Sequence, residues 1–486
     1  MAEKAGTKQS GLFTDFYELT MAQGYWKKGL DRTAVFDVFF RRHPFNGGFS
    51  VFAGIETCID RILAFSFSDD DISYLRSQGI FDEGFLDYLR DFHFTGDLYS
   101  FDEGSLIFPQ EPVIRIHAPL IQAQIIEGLV LNQCNFQTLI ATKTTRVWLA
   151  SGKKDVMEFG LRRAQGTDGA MSATRAAFIG GASSTSNTSG GKAFGIPVAG
   201  TMAHSWVLSF PSEIEAFRAY AEIYPDSTVF LIDTYDSLKS GIKNAITVGS
   251  ELHKNGHRFG VRLDSGDIAY LSVEVRRELD SAGLSDAYIT VSNELTEEII
   301  SALVASGSPV DSWGVGTNMV TGGSESSFSG VYKMCARMDG SGNMIPVMKF
   351  SDNPTKSTNP GIKNVYRLFD ENGMARGDVL TLDGEKITSG REYRYFHPMI
   401  DYRHFSLSAE LVQPMLKKRI ENGRRTEKRL PDSEQLRISR ATMMEQMETF
   451  DDSYKRILNP HIYKVSLSEG LRNMKLDFIN ANERAD

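Results

Sequence analysis

From residue 155 onward, short apolar runs alternate with amphipathic stretches, and this rhythm limits the folds that the chain can adopt. The apolar runs have the length and composition of strands and lie at residues 156–161, 197–200, 228–232, 259–263, 288–291 and 312–315. Helical stretches fall between them, near residues 169–180, 211–222, 237–254, 268–282 and 295–306. This order predicts parallel βαβ units, arranged either as an open doubly wound sheet or as a barrel.

Three segments are expected around this pattern, because 486 residues exceed what one hydrophobic core usually organises. Residues 1–140 mix strands and helices without regular alternation, which predicts an α+β domain. Residues 141–345 predict an α/β catalytic domain. Beyond residue 345 the alternation stops, so residues 346–486 are expected to form a loop, a few strands and, from residue 411, charged helices that pack back on the N-terminal domain.

Charge and cysteine content argue against several classes of protein. A net charge of −9 disfavours a dedicated binder of nucleic acid or anionic membranes, because phosphate recognition needs surplus positive charge. Cys58, Cys134 and Cys335 are widely spaced, which disfavours a disulfide framework and a thiolate zinc site. The sequence shows neither a membrane-spanning apolar stretch nor the apolar segment of a signal peptide. We therefore expect a cytoplasmic protein.

Polar residues follow each of the six apolar runs, where a strand would end. In chain order they are Arg162 and Arg163, Thr201 and His204, Asp233 and Tyr235, Asp264 and Asp267, Ser292 and Asn293, and Gly316 and Thr317. Parallel strands present their carboxyl ends on one face, where α/β enzymes place their active sites. Such loops are often polar merely because they supply helix caps, so one residue alone carries little weight. Arginines, a histidine and paired aspartates on successive loops together predict a site.

His204 stands directly after a predicted strand, among the small and hydroxyl residues Thr201, Ala203 and Ser205. A histidine in this position can transfer protons, accept a phosphoryl group, bind metal or simply pack. Metal binding needs partner ligands, and the sequence near His204 offers no further histidine or cysteine cluster. The small neighbours leave room for a ligand and favour a functional role.

The segment Arg262-Leu-Asp264-Ser-Gly-Asp267 places a cation and two carboxylates in one turn. An Asp-Ser-Gly triplet is typical of aspartic proteases, but those need a second such triplet, which the sequence lacks. Carboxylates also accept hydrogen bonds from sugar hydroxyls or hold a divalent cation, and an arginine binds anions as a planar fork. Recognition of a polyol beside an anion is the better interpretation.

A glycine-rich run extends from Gly314 to Gly323 and contains Gly316, Thr317 and Thr321. Its backbone N–H groups and threonines suit a phosphate monoester, and it matches neither a Walker A loop nor a dinucleotide-binding turn. With the carboxylates and arginines, it predicts a phosphorylated sugar and an anionic second substrate. Glycosyl or phosphoribosyl transfer is the natural reaction class; aldol or lyase chemistry usually needs a lysine at a strand end, and these ends show none.

Six blocks of sequence carry a resemblance to a known family. They are Leu12-Phe-Thr-Asp-Phe-Tyr-Glu-Leu-Thr-Met-Ala, Glu158-Phe-Gly-Leu-Arg-Arg-Ala-Gln, Gly200-Thr-Met-Ala-His-Ser, Gly260-Val-Arg-Leu-Asp-Ser-Gly-Asp, Gly314-Val-Gly-Thr, and Lys349-Phe-Ser with Lys356, Pro360, Gly361 and Lys363. In this order they closely resemble nicotinate phosphoribosyltransferases, enzymes of NAD salvage that join nicotinate to 5-phosphoribosyl 1-pyrophosphate. The resemblance implies an irregular, TIM-like parallel α/β barrel with an N-terminal α+β domain and a C-terminal extension. It also implies a homodimer with shared active sites.

The resemblance further implies roles for single residues. His204 resembles the histidine that ATP phosphorylates, and it forms the catalytic group together with Arg262 and Asp264, the latter resembling the acceptor for ribose hydroxyls. Nicotinate is expected to contact Tyr17, Phe159, Arg162, Thr201 and Arg262, with Tyr17 coming from the other subunit. Phosphoribosyl pyrophosphate is expected at Gly316, Thr317, Gly322 and Gly323, with Thr321 as the alternative to Thr317. Mg²⁺ is the expected cofactor, with ligands that the sequence does not identify, and ATP is the expected co-substrate.

The hydroxyl-rich tract from Gly180 to Gly191 bears on the choice of substrate. The related enzyme that uses the amide has an acidic residue in this tract, where the present sequence has the neutral Ser186 and Asn187. A neutral residue suits an acid substrate, since a carboxylate facing an aspartate would be repelled. The alternatives are a nicotinamide or quinolinate phosphoribosyltransferase and a non-catalytic sensor of phosphoribosyl pyrophosphate.

Overall fold

The computed structural model describes residues 9–351, 356–400 and 402–483, and the chain divides into two compact units. One unit comprises Met1–Leu139 and Ser327–Asp486, and we call it the mixed unit. The other comprises Ile140–Ser326, and we call it the parallel unit.

The helices of the described residues follow in chain order. They are α1 (Phe16–Lys27), α2 (Ile55–Leu63), α3 (Asp69–Ser77), α4 (Glu83–Arg90), α5 (Leu120–Ile125), α6 (Glu127–Ala150), α7 (Gly166–Ile179), α8 (Thr188–Phe194), α9 (His204–Leu208), α10 (Glu213–Ile223), α11 (Ile242–Lys254), α12 (Ile268–Ser281), α13 (Glu297–Ala305), α14 (Thr317–Thr321), α15 (Asp432–Thr449), α16 (Asp452–Lys455) and α17 (Glu469–Glu483). Short 3₁₀ turns lie at Pro44–Asn46 and Leu161–Arg163, and a π-helical turn at Ser237–Gly241 precedes α11. None of the described helices is both long and apolar enough to cross a lipid bilayer.

The strands of the described residues have at most four residues in the parallel unit and up to nine in the mixed unit. They are β1 (Gln9–Ser10), β2 (Thr33–Phe40), β3 (Ser50–Val51), β4 (Phe65–Ser66), β5 (Asp97–Ser100), β6 (Leu106–Ile107), β7 (Ile114–Pro119), β8 (Asp155–Glu158), β9 (Ser184–Thr185), β10 (Val229–Leu231), β11 (Gly260–Leu263), β12 (Tyr288–Val291), β13 (Ser312–Val315), β14 (Gly330–Met338), β15 (Met344–Pro346), β16 (Lys363–Phe369), β17 (Ala375–Leu382), β18 (Glu392–Phe396), β19 (His404–Ser408), β20 (Leu411–Pro414), β21 (Lys417–Glu421), β22 (Arg424–Arg425) and β23 (Val465–Leu467).

The mixed unit is built on two sheets. A seven-stranded antiparallel sheet has the order β15-β14-β2-β7-β5-β21-β22, and a six-stranded sheet has the order β19-β18-β23-β17-β16-β20. Strand β2 is buried on both faces beyond its first residue, as its almost continuous apolar sequence requires. Its side chains join a large aromatic and aliphatic core that includes residues of α1, α2 and α4. This burial supplies the main hydrophobic stabilisation of the unit.

The parallel unit contains one sheet whose strands all run parallel, in the order β10-β11-β12-β13-β8-β9. Successive strands are neighbours, and the last strand, β13, pairs with the first, β8. A barrel requires such a pairing between the first and last strands. The two edge strands of the sheet, β9 and β10, share no paired residues in the described part of the chain, so the sheet is open between them. The predicted α/β class with parallel βαβ units is confirmed; closure into a full barrel stays a prediction.

One predicted strand of this sheet is wrong. Residues 197–200 form only an isolated bridge, between Val198 and Thr185, and the strand beside β8 is instead β9. Pro197 has no N–H to offer a ladder, so the pairing stops after one bridge. The other five predicted strands correspond to β8 and β10–β13, with β8 ending at Glu158 because a 3₁₀ turn follows.

The helix predicted to begin at residue 411 is also wrong, because residues 411–425 contain β20, β21 and β22. Asn422 and Gly423, both with positive φ, make the turn between β21 and β22, and Asn-Gly is a strong hairpin signal. The charges of β21 are not simply solvated, since Lys418 lies 3.1 Å from Asp97 and Lys417 lies 2.7 Å from Asp102. Among the described residues after residue 411, the first helix is α15.

Candidate active site

A cavity of about 490 Å³ lies at the carboxyl ends of the parallel strands, and all its lining residues belong to the parallel unit. The lining residues lie near the ends of β11 and β13, follow β8, β9, β11, β12 or β13, or belong to the segment after Val198. They are Phe159, Leu161, Arg162, Arg163, Ser186, Gly200, Thr201, Met202, Ala203, Arg262, Asp264, Ser292, Asn293, Glu294, Gly314, Gly316 and Thr317. Loops after parallel strands therefore converge here as their topology demands.

The structure brings together seven of the residues expected to bind substrates. They are Phe159, Arg162, Thr201, Arg262, Asp264, Gly316 and Thr317. His204 follows the lining residue Ala203 and lies beside Asp264. Gly322 and Gly323 do not line the cavity, and Tyr17 belongs to the mixed unit.

Arg262 is the centre of the polar network in the cavity. Its Nε donates to Ser292 Oγ at 2.7 Å, its Nη1 to Thr201 Oγ1 at 2.8 Å and its Nη2 to Asp264 Oδ1 at 2.8 Å. The guanidinium carries five N–H donors, so two remain for a ligand. Its Cζ lies 5.9 Å from the centre of the Phe159 ring, at the outer limit of a cation–π contact. Arginine and aromatic ring therefore face the same part of the cavity.

Asp264 is held as a carboxylate. Burial alone would raise its pKa, but the hydrogen bond from Ser292 and the positive charge of Arg262 outweigh burial and keep the pKa below its ordinary value. Ser292 donates to the same oxygen, Oδ1, that accepts from Arg262. An ionised carboxylate accepts hydrogen bonds only, which suits the hydroxyls of a sugar.

His204 begins helix α9 and has a half-exposed side chain. Its Nδ1 lies 3.1 Å from Thr234 Oγ1, while its Nε2 lies 4.0 Å from Asp233 Oδ1 and 3.9 Å from Asp264 Oδ2. One ring nitrogen thus faces a hydroxyl and the other faces two carboxylates. The two nitrogens therefore have different electrostatic surroundings.

Asp233 follows strand β10 and is almost completely buried, with 3% of its side chain exposed. Its Oδ2 accepts from the backbone N–H of Asp264 at 3.1 Å and from Ser265 Oγ at 2.5 Å. Its Oδ1, the oxygen nearest His204, has no hydrogen-bond partner among the described residues. A buried carboxylate oxygen without a donor costs free energy, so this oxygen is available to a cation or to a protonated imidazole.

The glycines after β13 allow a close approach of backbone to the Phe159 segment. A Cβ on Gly314 would lie 2.7 Å from the Phe159 ring, and one on Gly316 would lie 3.0 Å from the Phe159 carbonyl oxygen. A side chain at either position would displace the ring or its strand. These glycines therefore serve the placement of Phe159 as well as any phosphate.

Thr317 and Thr321 differ in what their hydroxyls contact. Thr317 Oγ1 donates to Glu294 Oε1 at 3.3 Å, and both residues line the cavity. Thr321 Oγ1 donates to the Thr317 carbonyl at 2.7 Å within α14. Gly322 and Gly323 then end the helix with positive φ. The geometry favours Thr317 over Thr321 as a group that a ligand can reach.

Arg162 and Arg163 supply further positive charge. Both are exposed on the 3₁₀ turn after β8, and both line the cavity. Within the described ranges neither forms an ion pair with a carboxylate, so their donors are open to an anionic ligand. The cavity thus combines three arginines, Phe159 and the carboxylates of Asp264 and Glu294.

Tyr17 lies near the start of α1 in the mixed unit, with half of its side chain exposed. The side chain of the buried Glu18, its neighbour in the chain, is the largest cause that raises the pKa of Tyr17. Glu18 in turn accepts a hydrogen bond from Gln124 on α5. The ring of Tyr17 therefore remains accessible.

The sequence places several further site residues after predicted strands but does not predict a role for them. Asp233 and Ser292 are the clearest, because each bonds directly to Asp264 or its backbone. Their position after a strand was visible in the sequence, but which side chains touch was not. Arg163 and Glu294 also line the cavity, the latter without any sequence signal beyond its neighbour Asn293.

The fold and the cavity are typical of α/β enzymes whose active sites lie at the carboxyl ends of parallel strands, and the lining suits an anionic, hydroxyl-bearing ligand. Family models for nicotinate phosphoribosyltransferase match residues 12–135 (N-terminal domain), 155–370 (family) and 362–475 (C-terminal domain). The chain belongs to the nicotinate phosphoribosyltransferase family. This bears out the resemblance carried by the sequence blocks.

Relatives of established name match over nearly the whole chain. The nicotinate phosphoribosyltransferase of Bacillus subtilis (strain 168) is 41% identical over 475 residues, covering 96% of this chain and 95% of that protein. The crystal structure of human nicotinic acid phosphoribosyltransferase matches with a TM-score of 0.82 at 31% identity, covering 95% of this chain and 99% of that one. Nicotinate-nucleotide pyrophosphorylase from Pyrococcus furiosus matches with a TM-score of 0.70 at 24% identity, over 90% of this chain and 95% of that one, which shows the shared fold alone.

Proposed function

We propose that this chain joins nicotinate to 5-phosphoribosyl 1-pyrophosphate, giving nicotinate mononucleotide and pyrophosphate in the salvage of nicotinate for NAD. The observation that carries the proposal is the pair Arg262 and Asp264, which sets a cation and an ionised carboxylate side by side in the cavity. The cation meets the carboxylate of nicotinate, and the aspartate accepts hydrogen bonds from the ribose. Membership of the family supports this assignment.

The pyridine ring has a place beside Phe159. The ring of Phe159 and the guanidinium of Arg262 lie 5.9 Å apart, so a flat aromatic acid can contact the first while its carboxylate approaches the second. Arg162 lines the same cavity and supplies further donors, while the Thr201 hydroxyl accepts from Arg262 and orients its guanidinium. Ser186, also in the lining, is neutral and does not repel a carboxylate.

The sugar phosphate takes the other donors of the cavity. Asp264 is the acceptor for the ribose hydroxyls, while Gly316 and Thr317 are our candidates for the 5-phosphate. Gly322 and Gly323 are weaker candidates, because they do not line the cavity. Glu294 must release Thr317 before its hydroxyl can meet a phosphate, since both anions would compete for one donor.

The expected Mg²⁺ fits the carboxylates of Asp233 and Asp264. No group of three or more His, Cys, Asp or Glu side chains in the described ranges could enclose a metal ion by itself. Mg²⁺ commonly takes only one or two protein carboxylates and completes its shell with substrate phosphates and water. The buried, unpartnered Oδ1 of Asp233 is a suitable ligand. When bound there, the ion would neutralise charge on the pyrophosphate.

The transfer itself requires orientation and charge placement from this chain. The bond from ribose C1 to the pyrophosphate oxygen breaks, and the pyridine nitrogen supplies the electron pair for the new bond to C1. Asp264, held ionised, stabilises the positive charge that develops on the ribose. Phe159 and Arg262 hold the pyridine so that its nitrogen faces C1.

Coupling to ATP is assigned to His204. One histidine nitrogen would take the γ-phosphoryl group and release ADP, and water would later free the phosphate. A phosphoryl group on Nε2 would face the carboxylates of Asp233 and Asp264 at about 4 Å, so repulsion disfavours that nitrogen as long as Mg²⁺ does not neutralise the pair. Nδ1, beside Thr234, is therefore the acceptor that we expect, with Nε2–H turned towards the carboxylates.

A homodimer with Tyr17 supplied to the partner's cavity completes the proposal. The half-exposed ring of Tyr17 is available for stacking on the pyridine, opposite Phe159. A cytoplasmic location is part of the same proposal, and it is supported by three cysteines that are all buried thiols.

The proposal is tested by comparing substrates at equal concentration with phosphoribosyl pyrophosphate, Mg²⁺ and ATP. Formation of nicotinate mononucleotide, ADP and pyrophosphate from nicotinate, with nicotinamide and quinolinate turned over far more slowly, is the expected result. Faster turnover of nicotinamide or of quinolinate than of nicotinate would identify the chain as the corresponding phosphoribosyltransferase. Tight binding of phosphoribosyl pyrophosphate without turnover of any substrate would identify a sensor instead.

A further inference from the structure

Next to two residues of the cavity lining, four buried polar residues form a closed ring of hydrogen bonds that includes one backbone N–H. Glu158 Oε2 accepts from Thr174 Oγ1 at 3.0 Å and from Thr185 Oγ1 at 2.6 Å. Asn187 closes the ring, because its Nδ2 donates to Thr174 Oγ1 at 3.1 Å and its backbone N–H donates to Thr185 Oγ1 at 2.9 Å. Each of the four residues is at most 2% exposed.

The donors in this ring all point towards one acceptor. Both threonine hydroxyls receive a hydrogen bond from Asn187 and pass one on to Glu158. The second oxygen of Glu158, Oε1, accepts from the backbone N–H of Gly160. A carboxylate can accept all three bonds, whereas a neutral amide would present its own N–H₂ to a group that is already donating. The arrangement therefore requires an acceptor-only side chain at position 158.

The ring fixes the backbone on both sides of the lining residues Phe159 and Ser186. Phe159 lies between Glu158 and Gly160, which the carboxylate ties together. Ser186 lies between Thr185 and Asn187, and its own N–H donates to the Glu158 carbonyl at 2.8 Å. Phe159 and Ser186 are thus anchored by the same buried carboxylate.

Glu158 forms no ion pair with a lysine or arginine in the part of the chain that the structure describes. Burying a carboxylate without a cation costs free energy that hydrogen bonds must offset. A neutral side chain would avoid that cost if position 158 served packing alone. At this position the carboxylate instead organises two lining residues.

We propose that Glu158, acting through Thr174, Thr185 and Asn187, is a positioning residue that sets the distance between Phe159 and Ser186 and thereby the selection of nicotinate. The inference rests on the proposed function, because it assigns the pyridine ring to the Phe159 side of the cavity. None of the ring members lines the cavity, so their effect on substrate is indirect.

The test compares Thr174→Val with Thr174→Ser, since valine keeps the shape and loses the hydroxyl while serine keeps the hydroxyl. Thr174→Val is expected to raise the KM for nicotinate about tenfold and to leave the KM for phosphoribosyl pyrophosphate within about twofold. Thr174→Ser is expected to resemble the unsubstituted enzyme. Ser183→Ala is the matched control and should change neither KM. It removes a hydrogen bond of 3.2 Å from Ser183 Oγ to the carbonyl of Val156 in β8, which is not part of the ring. Glu158→Gln should match Thr174→Val or exceed it.

Thr185→Val opens the ring at a second point and keeps the test decisive if one variant folds poorly. Its effect on nicotinate KM should be less than additive with that of Thr174→Val, because both break one ring. Three results would overturn the inference and leave the ring with a purely structural role. They are an equal rise in KM for both substrates, an unchanged KM for nicotinate, and failure of both valine variants to fold. An unsubstituted chain that forms no nicotinate mononucleotide would overturn the proposed function, and this inference with it.

Discussion

Arg262 and Asp264 share a hydrogen bond of 2.8 Å at the end of strand β11, and Ser292, which follows the neighbouring strand β12, donates to the same carboxylate oxygen. Burial of this pair is partial, with 14% of Arg262 and 29% of Asp264 exposed. Hence each charge is shielded from water by protein yet open to a ligand. The cavity can bind an anion and a polyol in adjacent positions for this reason.

Replacing Arg262 is expected to separate the two substrates. Arg262→Ala should raise the KM for nicotinate at least about thirtyfold, because the substrate carboxylate loses its charge-assisted donor. The KM for phosphoribosyl pyrophosphate should rise less. Arg262→Lys keeps the positive charge but lacks the planar guanidinium. Its KM for nicotinate should therefore lie between those of the unsubstituted enzyme and Arg262→Ala. Steady-state kinetics with each substrate varied in turn checks this, and an equal rise for both substrates would contradict the carboxylate assignment.

His204→Asn should abolish stimulation by ATP and leave slow ATP-independent synthesis of the mononucleotide. The asparagine cannot take up a phosphoryl group but can still bond to Thr234. Radiolabelled ATP should deliver acid-labile phosphate to the unsubstituted chain and none to the variant. Full ATP stimulation of His204→Asn would exclude the phosphohistidine. Replacing the exposed His253, which lies 3.6 Å from Asp286 on the surface, serves as the control.

Ser186→Asp should shift selection from the acid towards the amide. An aspartate in the lining would repel the carboxylate of nicotinate and could accept a hydrogen bond from the amide of nicotinamide. We expect kcat/KM for nicotinate to fall at least about tenfold and the ratio of nicotinamide to nicotinate turnover to rise. Ser186→Ala, without a charge, is the matched control. Unchanged selectivity in Ser186→Asp would place the pyridine elsewhere in the cavity.

His117 on β7 should make the mixed unit less stable in mild acid. Burial and then the charge of Arg115 lower the pKa of His117 to about 4, against the attraction of Asp37, Asp97 and Asp383. The unfolded chain binds a proton near pH 6.5 while the folded chain does not, so stability falls as pH drops from 6.5 towards 4. The loss at pH 5 is up to about 2 kcal/mol.

The effect of His117 is measured as the change in thermal midpoint between pH 7.5 and pH 5. His117→Gln lacks the titrating ring, so its midpoint should fall less over that interval than the midpoint of the unsubstituted chain. Other groups titrate equally in both proteins and cancel in the comparison. Equal shifts would show that folding does not lower the pKa of His117.

Much of the parallel unit could be predicted because its strands are short, apolar and separated by clear helical stretches. Strand β12 spans the predicted residues 288–291, and β13 spans 312–315. The pocket followed from topology alone, since parallel strands end on one face. The strand predicted at residues 197–200 is wrong, because the apolar composition of this segment does not reveal that Pro197 lacks an N–H group.

The rest of the site depends on contacts that a linear pattern does not encode. Asp233 was visible after a strand, but its unpartnered oxygen beside His204 follows only from side-chain geometry. The Glu158 ring joins residues 16 and 27 positions apart through bonds that no spacing rule describes. The sequence does not predict strands β21 and β22, because their charges are typical of a helical surface, whereas the lysines of β21 pair with Asp97 and Asp102.

The most direct test of the site is a crystal structure of the chain with nicotinate mononucleotide bound. The pyridine carboxylate should lie within hydrogen-bond distance of Arg262 or Arg162, with a ribose hydroxyl on Asp264 and the ring against Phe159. A mononucleotide bound away from this cavity, or one with its ribose remote from Asp264, would contradict the assignment.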